Sequence, residues 1–274
     1  MCVVTGGTSG IGRATAAGLS NLGARVILPC RTLARGEGVA RELSEASGNE
    51  VRAMACDLSS LGSIRAFAEA FERDHDRVHV LVNSAGIVST SRTETPDGFE
   101  ATFGVTYLGA FLLTSLLLPL LKAGAPSRIV NVAGEFHRKV RLDLDDLQLE
   151  RRYSIVRAGG QAMLAKIMFT FELARRLEGT GVTANCLHPG AVRSGLLRGL
   201  PWYLRAAASL GRPFMKSPEV GARTPIYLAT SPDVASVSGE YFANERPRAT
   251  AEHARDAELG LRLWEESVRL AGLP

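Results

Sequence analysis

The sequence predicts a single α/β domain built on an open, doubly wound parallel sheet of about seven strands, with helices on both faces. Three observations favour this fold. The 274 residues fit one α/β domain of the larger kind, and a hydrophobic content of 46% supplies a substantial core. The short β-branched runs are apolar along their whole length, which is typical of parallel strands covered on both faces. Helical stretches separate these runs, so we expect one domain over residues 1–274.

The predicted strands and helices alternate along most of the chain. The strands are expected at 2–5, 25–29, 51–56, 78–82, 127–132, 182–187 and 240–243. The helices are expected at 11–22, 34–47, 61–74, 98–122, 160–178 and 218–229. The segment 193–217 breaks the alternation and is predicted to cover the crevice at the carboxyl ends of the strands. Residues 250–270 carry an apolar stripe at helical spacing and are predicted to form a C-terminal helix.

Composition argues against several classes of function. The net charge of +4 comes from scattered basic residues, with no basic stripe interleaved with aromatic residues, so we expect no nucleic-acid binding. The four cysteines lie singly in apolar runs, which predicts free thiols and no metal site. No signal peptide precedes the first strand, and the longest apolar run, 108–121, is too short to span a bilayer. These features predict a cytoplasmic protein without a membrane anchor.

A glycine-rich turn follows the first predicted strand and leads directly into the first helix. Glycine lets the backbone turn tightly and approach a pyrophosphate, and the helix N-terminus offers free N–H groups and the positive end of a dipole. Because a strand precedes the turn and a helix follows it, the motif predicts a dinucleotide site of the Rossmann type. The predicted contacts in this turn are Gly6, Thr8, Ser9, Gly10, Ile11 and Gly12.

The end of the second strand indicates which dinucleotide is preferred. The chain has Cys30-Arg31-Thr32 where an NAD enzyme places a carboxylate on the adenine ribose. Arg31 can pair with a 2′-phosphate, and Arg13 adds a second cation just after the glycine turn. The alternative is that both are solvated surface arginines. We predict NADP(H) as the cofactor.

Further motifs make the chain resemble the short-chain dehydrogenase/reductase family. Asp57-Leu58 follows the third strand, Asn83-Ser84-Ala85-Gly86 the fourth, and Pro189-Gly190 the sixth. The stretches 97–100, 172–177, 187–190 and 262–265 are similar to the retinol-dehydrogenase-like branch, and the resemblance covers essentially the whole chain without the membrane-anchoring leader of many relatives. It implies cofactor contacts from Asp57, Leu58, Asn83, Ala85, Gly86, Pro189, Gly190 and Val192.

The same resemblance implies a homodimer or homotetramer that forms through the helices at 98–122 and 160–178. The apolar side chains of Leu112, Leu116 and Phe169 are consistent with that interface, but core packing would use them equally well.

The resemblance also places four catalytic side chains, and each is substituted here. The family uses a Tyr as proton donor, a Lys four residues later, a Ser and an Asn. Ungapped matches on both sides place Gly159 at the Tyr position and Met163 at the Lys position. Gly134 occupies the Ser position and Thr106 the Asn position. Because neither glycine nor methionine exchanges a proton, the usual chemistry is predicted to be missing.

Three other side chains are candidates for the missing acid. Tyr107 and Glu135 adjoin two of the substituted positions. Tyr153 has Arg157 four residues later and superficially imitates the Tyr/Lys pair, but that register requires an insertion inside a helix, which favours a packing tyrosine. Lys166, one turn beyond the Lys position, is expected to be solvated.

Three functions remain open at this point. The first is an NADP(H)-dependent oxidoreductase of non-standard mechanism that acts on a lipophilic iminium or conjugated acceptor, since such acceptors need less acid help than a plain ketone. The space left by Gly159 would admit such a substrate. The second is a redox-silent isomerase, cyclase or dehydratase, and the third is a non-catalytic NADP(H)-binding protein. Analogy with the family favours the first.

Overall fold

The computed structural model describes residues 1–193 and 215–274, and it confirms the doubly wound α/β fold. The strands are β1 Cys2–Thr5, β2 Val26–Cys30, β3 Val51–Ala55, β4 Val80–Asn83, β5 Ser127–Val132, β6 Val182–His188, β7 Tyr241–Ala243 and β8 Arg246–Pro247. The helices in the described part are α1 Gly10–Asn21, α2 Leu33–Ser47, α3 Leu61–Asp74, α4 Ala101–Ala123, α5 Ile155–Arg176, α6 Pro218–Thr230 and α7 Ala257–Ala271.

All strands join one sheet in the order β3-β2-β1-β4-β5-β6-β7-β8. The first seven are parallel, and β8 returns antiparallel to β7, so the sheet has one strand more than predicted. Its two faces carry separate apolar clusters: α3, α4, α5 and α7 cover the larger, and α1, α2 and α6 cover the smaller. This coverage explains why the strands read as uninterrupted apolar runs.

β1 and β4 lie next to each other in the middle of the sheet. From this pair the strands that follow in sequence are added outward in opposite directions. Their register sets Thr5 beside Asn83, the last residue of each strand. The loops that follow these two residues run to opposite sides of the sheet. The gap between them is the crevice in which an open parallel sheet of this kind binds its ligand.

Two helices differ from the prediction in ways that affect the site. α5 begins at Ile155, five residues earlier than expected, because the Ser154 side chain accepts a hydrogen bond from the Arg157 N–H and caps the helix. Gly159 therefore lies inside the helix and not at its start. α4 contains a π-helical turn at Gly104–Leu108, a feature that often occurs near functional sites.

The C-terminal helix is shorter than predicted and belongs to the core. It spans Ala257–Ala271, and Trp264 stacks on Phe169 of α5 with ring centroids 5.8 Å apart. Phe169 and Leu112 are both buried within the single chain. These side chains are therefore core residues, and they give no argument for the predicted oligomer.

The predicted cover segment, 193–217, lies almost entirely outside the described residues. Its two flanks are held together where Val192 pairs with Lys216. The Lys216 N–H donates to the Ala191 carbonyl, and the Arg193 N–H donates to the Lys216 carbonyl. The residues on either side of 194–214 thus meet at the carboxyl end of β6.

Candidate cofactor and active site

The glycine turn after β1 has a geometry that needs glycine at several points. Gly6 and Gly10 have φ values of +68° and +55°, a backbone region that side chains disfavour. A Cβ atom at Gly12 would overlap the Gly6 carbonyl, and one at Gly6 would lie 3.0 Å from the Ala85 Cα. The backbone is therefore packed too tightly for side chains, and its outer surface stays open for close approach by a phosphate.

Helix α1 begins directly at this turn and presents a free N-terminus. Its N-cap residue, Ser9, makes no side-chain hydrogen bond to the first turn. The orphan N–H groups of a helix start and the positive end of its dipole together favour an anionic group. The predicted residues of this turn thus form a cradle that fits the pyrophosphate of a dinucleotide.

Arginine side chains surround the adenosine end of the cradle. Arg31 follows β2 and is exposed. Arg35, one helical turn later in α2, donates from Nη2 to the Thr8 carbonyl at 3.4 Å and so lies against the glycine turn. Arg13 forms an ion pair with Glu42 of α2, which partly neutralises it. Sequence reasoning did not name Arg35 as a contact, because only the tertiary structure brings it beside Thr8.

Asp57 and Asn83, two further predicted cofactor contacts, mainly stabilise the structure around them. The Asp57 carboxylate accepts hydrogen bonds from the N–H and hydroxyl of Ser59 in the loop after β3. Asn83 is completely buried and donates to Thr114 and to Asn131, both at 2.9 Å. Its side chain therefore braces the sheet, and only its backbone lies at the crevice.

The loop after β6 carries the predicted nicotinamide contacts. Gly190 has a φ of +91°, and the side chain of Lys216 passes over it, 3.1 Å from where a Cβ atom would be. Lys216 then donates to Asn244 at 2.6 Å. Pro189 precedes this glycine and Val192 follows it by two residues, so both predicted contacts lie in a turn that the Lys216 side chain covers in part.

Thr106, which the resemblance predicts at the family's Asn position, holds a loop. It lies in the π-helical turn of α4, and its hydroxyl accepts a hydrogen bond from the Ile87 N–H at 3.2 Å. A Cβ atom on Gly86 would lie 3.3 Å from the same hydroxyl. Thr106 thus fixes the loop that follows β4.

The other three positions predicted for the tetrad differ in how tightly they are packed. A Cβ atom at Gly134 would lie 2.7 Å from the Met163 sulfur, so Met163 fills the space that a serine there would occupy. A Cβ atom at Gly159, which is itself buried, would contact only Val88, at an ordinary 3.8 Å. Gly134 and Met163 thus pack against each other, while position 159 has room for a methyl group.

The geometry argues against Tyr107 as a proton donor. Its side chain is completely buried among the aromatic rings of the α4–α5 core, and its hydroxyl lies 2.6 Å from the Ser267 hydroxyl on α7. Burial raises the pKa of Tyr107 far above its ordinary value. The hydroxyl thus points into the core and not toward the strand ends.

Glu135 lies at the site but is held as an anion. Its carboxylate accepts a hydrogen bond from the Tyr241 hydroxyl at 2.9 Å and contacts Arg138 and Arg248 at 3.0 and 3.3 Å. Burial raises the pKa of this carboxyl, but the hydrogen bonds from Tyr241 and Arg138 and the nearby positive charges outweigh it, and the net pKa is lowered. An ionised carboxylate has no proton to donate.

Tyr153 lies in the loop before α5, and its hydroxyl donates to the Ser89 carbonyl at 2.8 Å. Arg157 does not pair with it, because its guanidinium donates to the Arg152 carbonyl. Burial and then the charge of Glu100 raise the pKa of the Tyr153 phenol. Tyr153 and Arg157 therefore do not form a catalytic pair like the Tyr and Lys of the family, although Tyr153 faces the same loop as Gly159.

Lys166 is not solvated, contrary to the prediction. Its side chain is completely buried beneath the crevice, and its ammonium donates to the carbonyls of Asn83 and Val132 at 3.3 and 3.4 Å. These are the last residues of β4 and β5. Burial lowers the pKa of Lys166 to about 7. Lys166 is thus the residue of α5 whose polar hydrogens reach the ends of β4 and β5, although the sequence analysis expected it in solvent.

Comparison with known proteins supports a family assignment. The family model for short chain dehydrogenases matches residues 1–140. Retinol dehydrogenase 13 of Homo sapiens is 44% identical over 278 residues, which are 99% of this chain and 84% of that protein. The chain belongs to the short-chain dehydrogenase/reductase family. Retinol dehydrogenase 14 of Mus musculus, 44% identical over 99% of this chain and 85% of that protein, agrees with the predicted branch.

Solved structures of the family agree with this assignment. A crystal structure of an uncharacterized protein from Mycobacterium paratuberculosis has a TM-score of 0.81 and 31% identity, with 99% of this chain and 93% of that chain covered. The NADP complex of RhlG from Pseudomonas aeruginosa has a TM-score of 0.70 and 28% identity, covering 88% and 93% of the two chains. The family is one of oxidoreductases that use a nicotinamide cofactor, which confirms the predicted class.

The predicted cytoplasmic location is wrong. The retinol dehydrogenases that this family member resembles are membrane-associated. The longest apolar segment is also longer than the expected 108–121. Helix α4 is 23 residues long and, by length and composition alone, apolar enough to span a bilayer. Two thirds of its most apolar stretch is buried in the fold, as in a core helix, so α4 by itself is weak evidence for a span.

Adjacent glycines in α5 should respond oppositely to the same substitution. Gly159→Ala should stabilise this family member by about 0.5–1 kcal/mol, since its Cβ atom enters open space and alanine favours the helix. Gly160→Ala should destabilise it by about 1–2 kcal/mol, because a Cβ atom there would lie 2.8 Å from Val140 and 2.9 Å from the Phe136 carbonyl. Urea unfolding of both variants measures this. Equal effects would show that the space beside Gly159 is filled.

The buried lysine should make stability depend on pH. The folded-state pKa of Lys166, about 7, lies below its unfolded value, so the unfolded chain binds the extra proton between the two. The free energy of unfolding of the wild type should therefore rise from pH 7.5 to pH 9 relative to Lys166→Met, by about 1–2 kcal/mol. Lys122→Met, an exposed lysine on α4, is the control. Parallel pH profiles for wild type and Lys166→Met would contradict the burial of a neutral amine.

Proposed function

We propose that this chain is an NADP(H)-dependent oxidoreductase that acts on a lipophilic small molecule by a non-standard mechanism. The observation that carries the proposal is the contrast between two halves of one site. The backbone cradle after β1 keeps its glycine-dependent geometry, while Gly134, Gly159 and Met163 offer no exchangeable proton at the positions where the family places its acid. A site that holds the cofactor but has no local acid favours acceptors that are already activated.

The preference for NADP(H) rests on the charges around the adenosine end. Arg31 stands where a carboxylate would select NAD, and Arg35 lies against the glycine turn. A planar guanidinium pairs well with a phosphate. Arg13 contributes less than the sequence suggested, because Glu42 competes for it.

The reaction class follows from what the protein's own residues provide. A bound nicotinamide supplies a hydride, and the chain's part is to orient the acceptor and exclude water. Reduction of a plain ketone also requires a proton at the oxygen. Neither Tyr107 nor Glu135 supplies it, because Tyr107 is hydrogen-bonded to Ser267 and Glu135 accepts from Tyr241. An iminium carbon or a conjugated acceptor needs much less of this help.

The lipophilic substrate class rests on the open space at Gly159. Val88 is the side chain that a Cβ atom there would contact, and Ile87, next to Val88 in the chain, is 38% exposed. Removal of a tyrosine side chain from this position leaves room for a bulky apolar group. The names of the relatives, retinol dehydrogenases, agree with a substrate of this kind.

A second candidate is a non-catalytic NADP(H)-binding protein. It is favoured by the packing of Met163 against Gly134, which closes the place where a serine hydroxyl would orient a substrate. Turnover distinguishes the two candidates, since both bind the cofactor.

Cofactor choice can be tested by fluorescence titration with NADPH and NADH. Arg31→Ala and Arg35→Ala should each weaken NADPH binding about tenfold, the loss expected for one charge-assisted hydrogen bond, and leave NADH binding unchanged. Glu42→Gln should strengthen NADPH binding, because it frees Arg13. Arg41→Ala, an exposed arginine of the same helix, is the matched control. Equal losses for both cofactors in the Arg31 and Arg35 variants would exclude a role in selecting the 2′-phosphate.

The reaction class can be tested by following NADPH consumption with paired acceptors of equal size. Cyclic imines and enones should be turned over at least tenfold faster than the matched saturated ketones. An imine can enter already protonated as an iminium, and the stabilised enolate from an enone can take its proton from water, whereas the alkoxide from a ketone requires a local proton donor. Faster turnover of the ketones would overturn the non-standard mechanism. Cofactor binding with no consumption for any acceptor would support the non-catalytic candidate.

A further inference from the structure

A groove on the outer surface lies where the segment between β5 and α5 meets the first turn of α5 and the helix α7. Residues 139–145 line it together with Arg157 of α5 and with Leu259 and Arg262 of α7. Its cavity volume is about 560 Å³, which is within the range of small-molecule sites. None of the described residues that line it is a predicted cofactor contact or a position of the catalytic tetrad. The groove is therefore a feature separate from the crevice.

Four cationic side chains surround this groove. Lys139 and Arg141 come from the segment before α5, Arg157 comes from α5 and Arg262 from α7. Within the described part of the chain, none of the four forms an ion pair. The Arg157 guanidinium donates from Nη1 to the Arg152 carbonyl at 2.7 Å, which holds it at the groove and leaves its other N–H donors for a ligand.

The two carboxylates that line the groove do not balance these charges. The Asp143 carboxylate accepts hydrogen bonds from the Arg151 guanidinium and from the Asp145 N–H, both at 3.1 Å. Arg151 is not among the described lining residues, so it offsets Asp143 from outside the groove. Four cations and two carboxylates give the lining a formal charge of +2. A cleft with walls of one predominant sign of charge attracts ligands of the opposite sign.

The start of α5 adds to the positive potential at the groove. This helix is 22 residues long, and Arg157 lies in its first turn. The Ser154 hydroxyl accepts a hydrogen bond from the Arg157 N–H at 3.2 Å, which fixes that turn beside the groove. The positive end of a helix dipole stabilises negative charge near the first turn. This contribution comes from the backbone and is independent of the four side chains.

Apolar side chains lie between the charged ones in the lining. Val140, Leu144 and Leu259 pack against the larger apolar cluster and are only half-buried, so part of each side chain is still accessible. Covering this surface with an apolar group is favourable. The groove therefore suits a ligand that carries both a negative charge and an apolar part.

We propose that the groove binds a phosphate monoester that carries a short apolar chain. A phosphate monoester has a charge of about −1.5 to −2 at pH 7, which matches the formal charge of the lining better than the single charge of a carboxylate. Arg157 and Arg262 reach the groove from different helices, and planar guanidinium groups pair with phosphate oxygens through parallel hydrogen bonds. Two sources supply this chemistry: a soluble organophosphate, and the headgroup of phosphatidic acid in a bilayer.

The test is isothermal titration calorimetry of the full chain, without NADP(H), with hexyl phosphate as the probe. Wild type should bind hexyl phosphate at least tenfold more tightly than inorganic phosphate, because only the former covers the apolar lining. Arg157→Gln and Arg262→Gln should each weaken binding about tenfold, the loss expected for one charge-assisted hydrogen bond. Arg157→Lys, which keeps the charge, should lose less. Arg73→Gln, an exposed arginine in the last turn of α3, should match the wild type.

Co-sedimentation with phosphatidylcholine vesicles, with and without phosphatidic acid, distinguishes the two sources. If the headgroup is the ligand, wild type should co-sediment only with the vesicles that contain phosphatidic acid, and Arg157→Gln and Arg262→Gln should reduce this binding. If a soluble organophosphate is the ligand, hexyl phosphate should bind while neither kind of vesicle does. Both patterns support the proposed groove.

Three results overturn it. The first is equal affinity for hexyl phosphate in wild type, Arg157→Gln and Arg262→Gln. The second is a wild type that binds neither hexyl phosphate nor the acidic vesicles. The third is displacement of hexyl phosphate by NADPH, since the phosphate then occupies the cradle after β1. Urea unfolding of the two arginine variants shows that a loss of binding is not a loss of folding. Wild type that binds no NADPH bears only on the proposed function.

Discussion

The close approach of two backbone segments at the switch point is the constraint on which the site depends. Thr5 and Asn83 end neighbouring strands in register, and the turn after the first passes within contact distance of the loop after the second. That contact leaves little room for a Cβ atom at Gly6, and the turn itself leaves none at Gly12, whose Cβ atom would overlap the Gly6 carbonyl. Helix α1 starts directly from this tightly packed turn, so the cradle and the positive end of the helix dipole lie together.

A second constraint is the polar series inside the larger apolar face. Asn83, Asn131 and Thr170 connect the middle of the sheet to α5 through buried hydrogen bonds. Buried polar groups are costly unless they are paired, and here almost all of the donors are used. The series fixes how α5 lies on the sheet, and with it the positions of Gly159, Met163 and Lys166.

The four positions predicted for the tetrad pack with their neighbours as parts of one local structure. Met163 fills the volume beside Gly134, and Thr106 holds the loop after β4. A side chain added at 134 would meet Met163, whereas a Cβ atom at 159 would make only an ordinary contact with Val88.

The sequence by itself determined the fold class, the alternation of strands and helices and the place of the glycine turn. It could do so because apolar periodicity and glycine spacing are local signals that do not depend on distant contacts. The start of α5 was missed by five residues, because the cap at Ser154 is a weaker signal than the apolar pattern that follows it.

Only the tertiary structure decided which candidate side chains reach the site. Tyr107 adjoins a catalytic position in sequence, yet the π-helical turn and α7 direct its hydroxyl to Ser267. Lys166 was expected in solvent, yet the packing of α5 on the sheet buries it at the ends of β4 and β5. Side-chain direction depends on how helices pack across the sheet, and contacts between residues more than 80 positions apart set that packing. A linear pattern contains no record of those contacts.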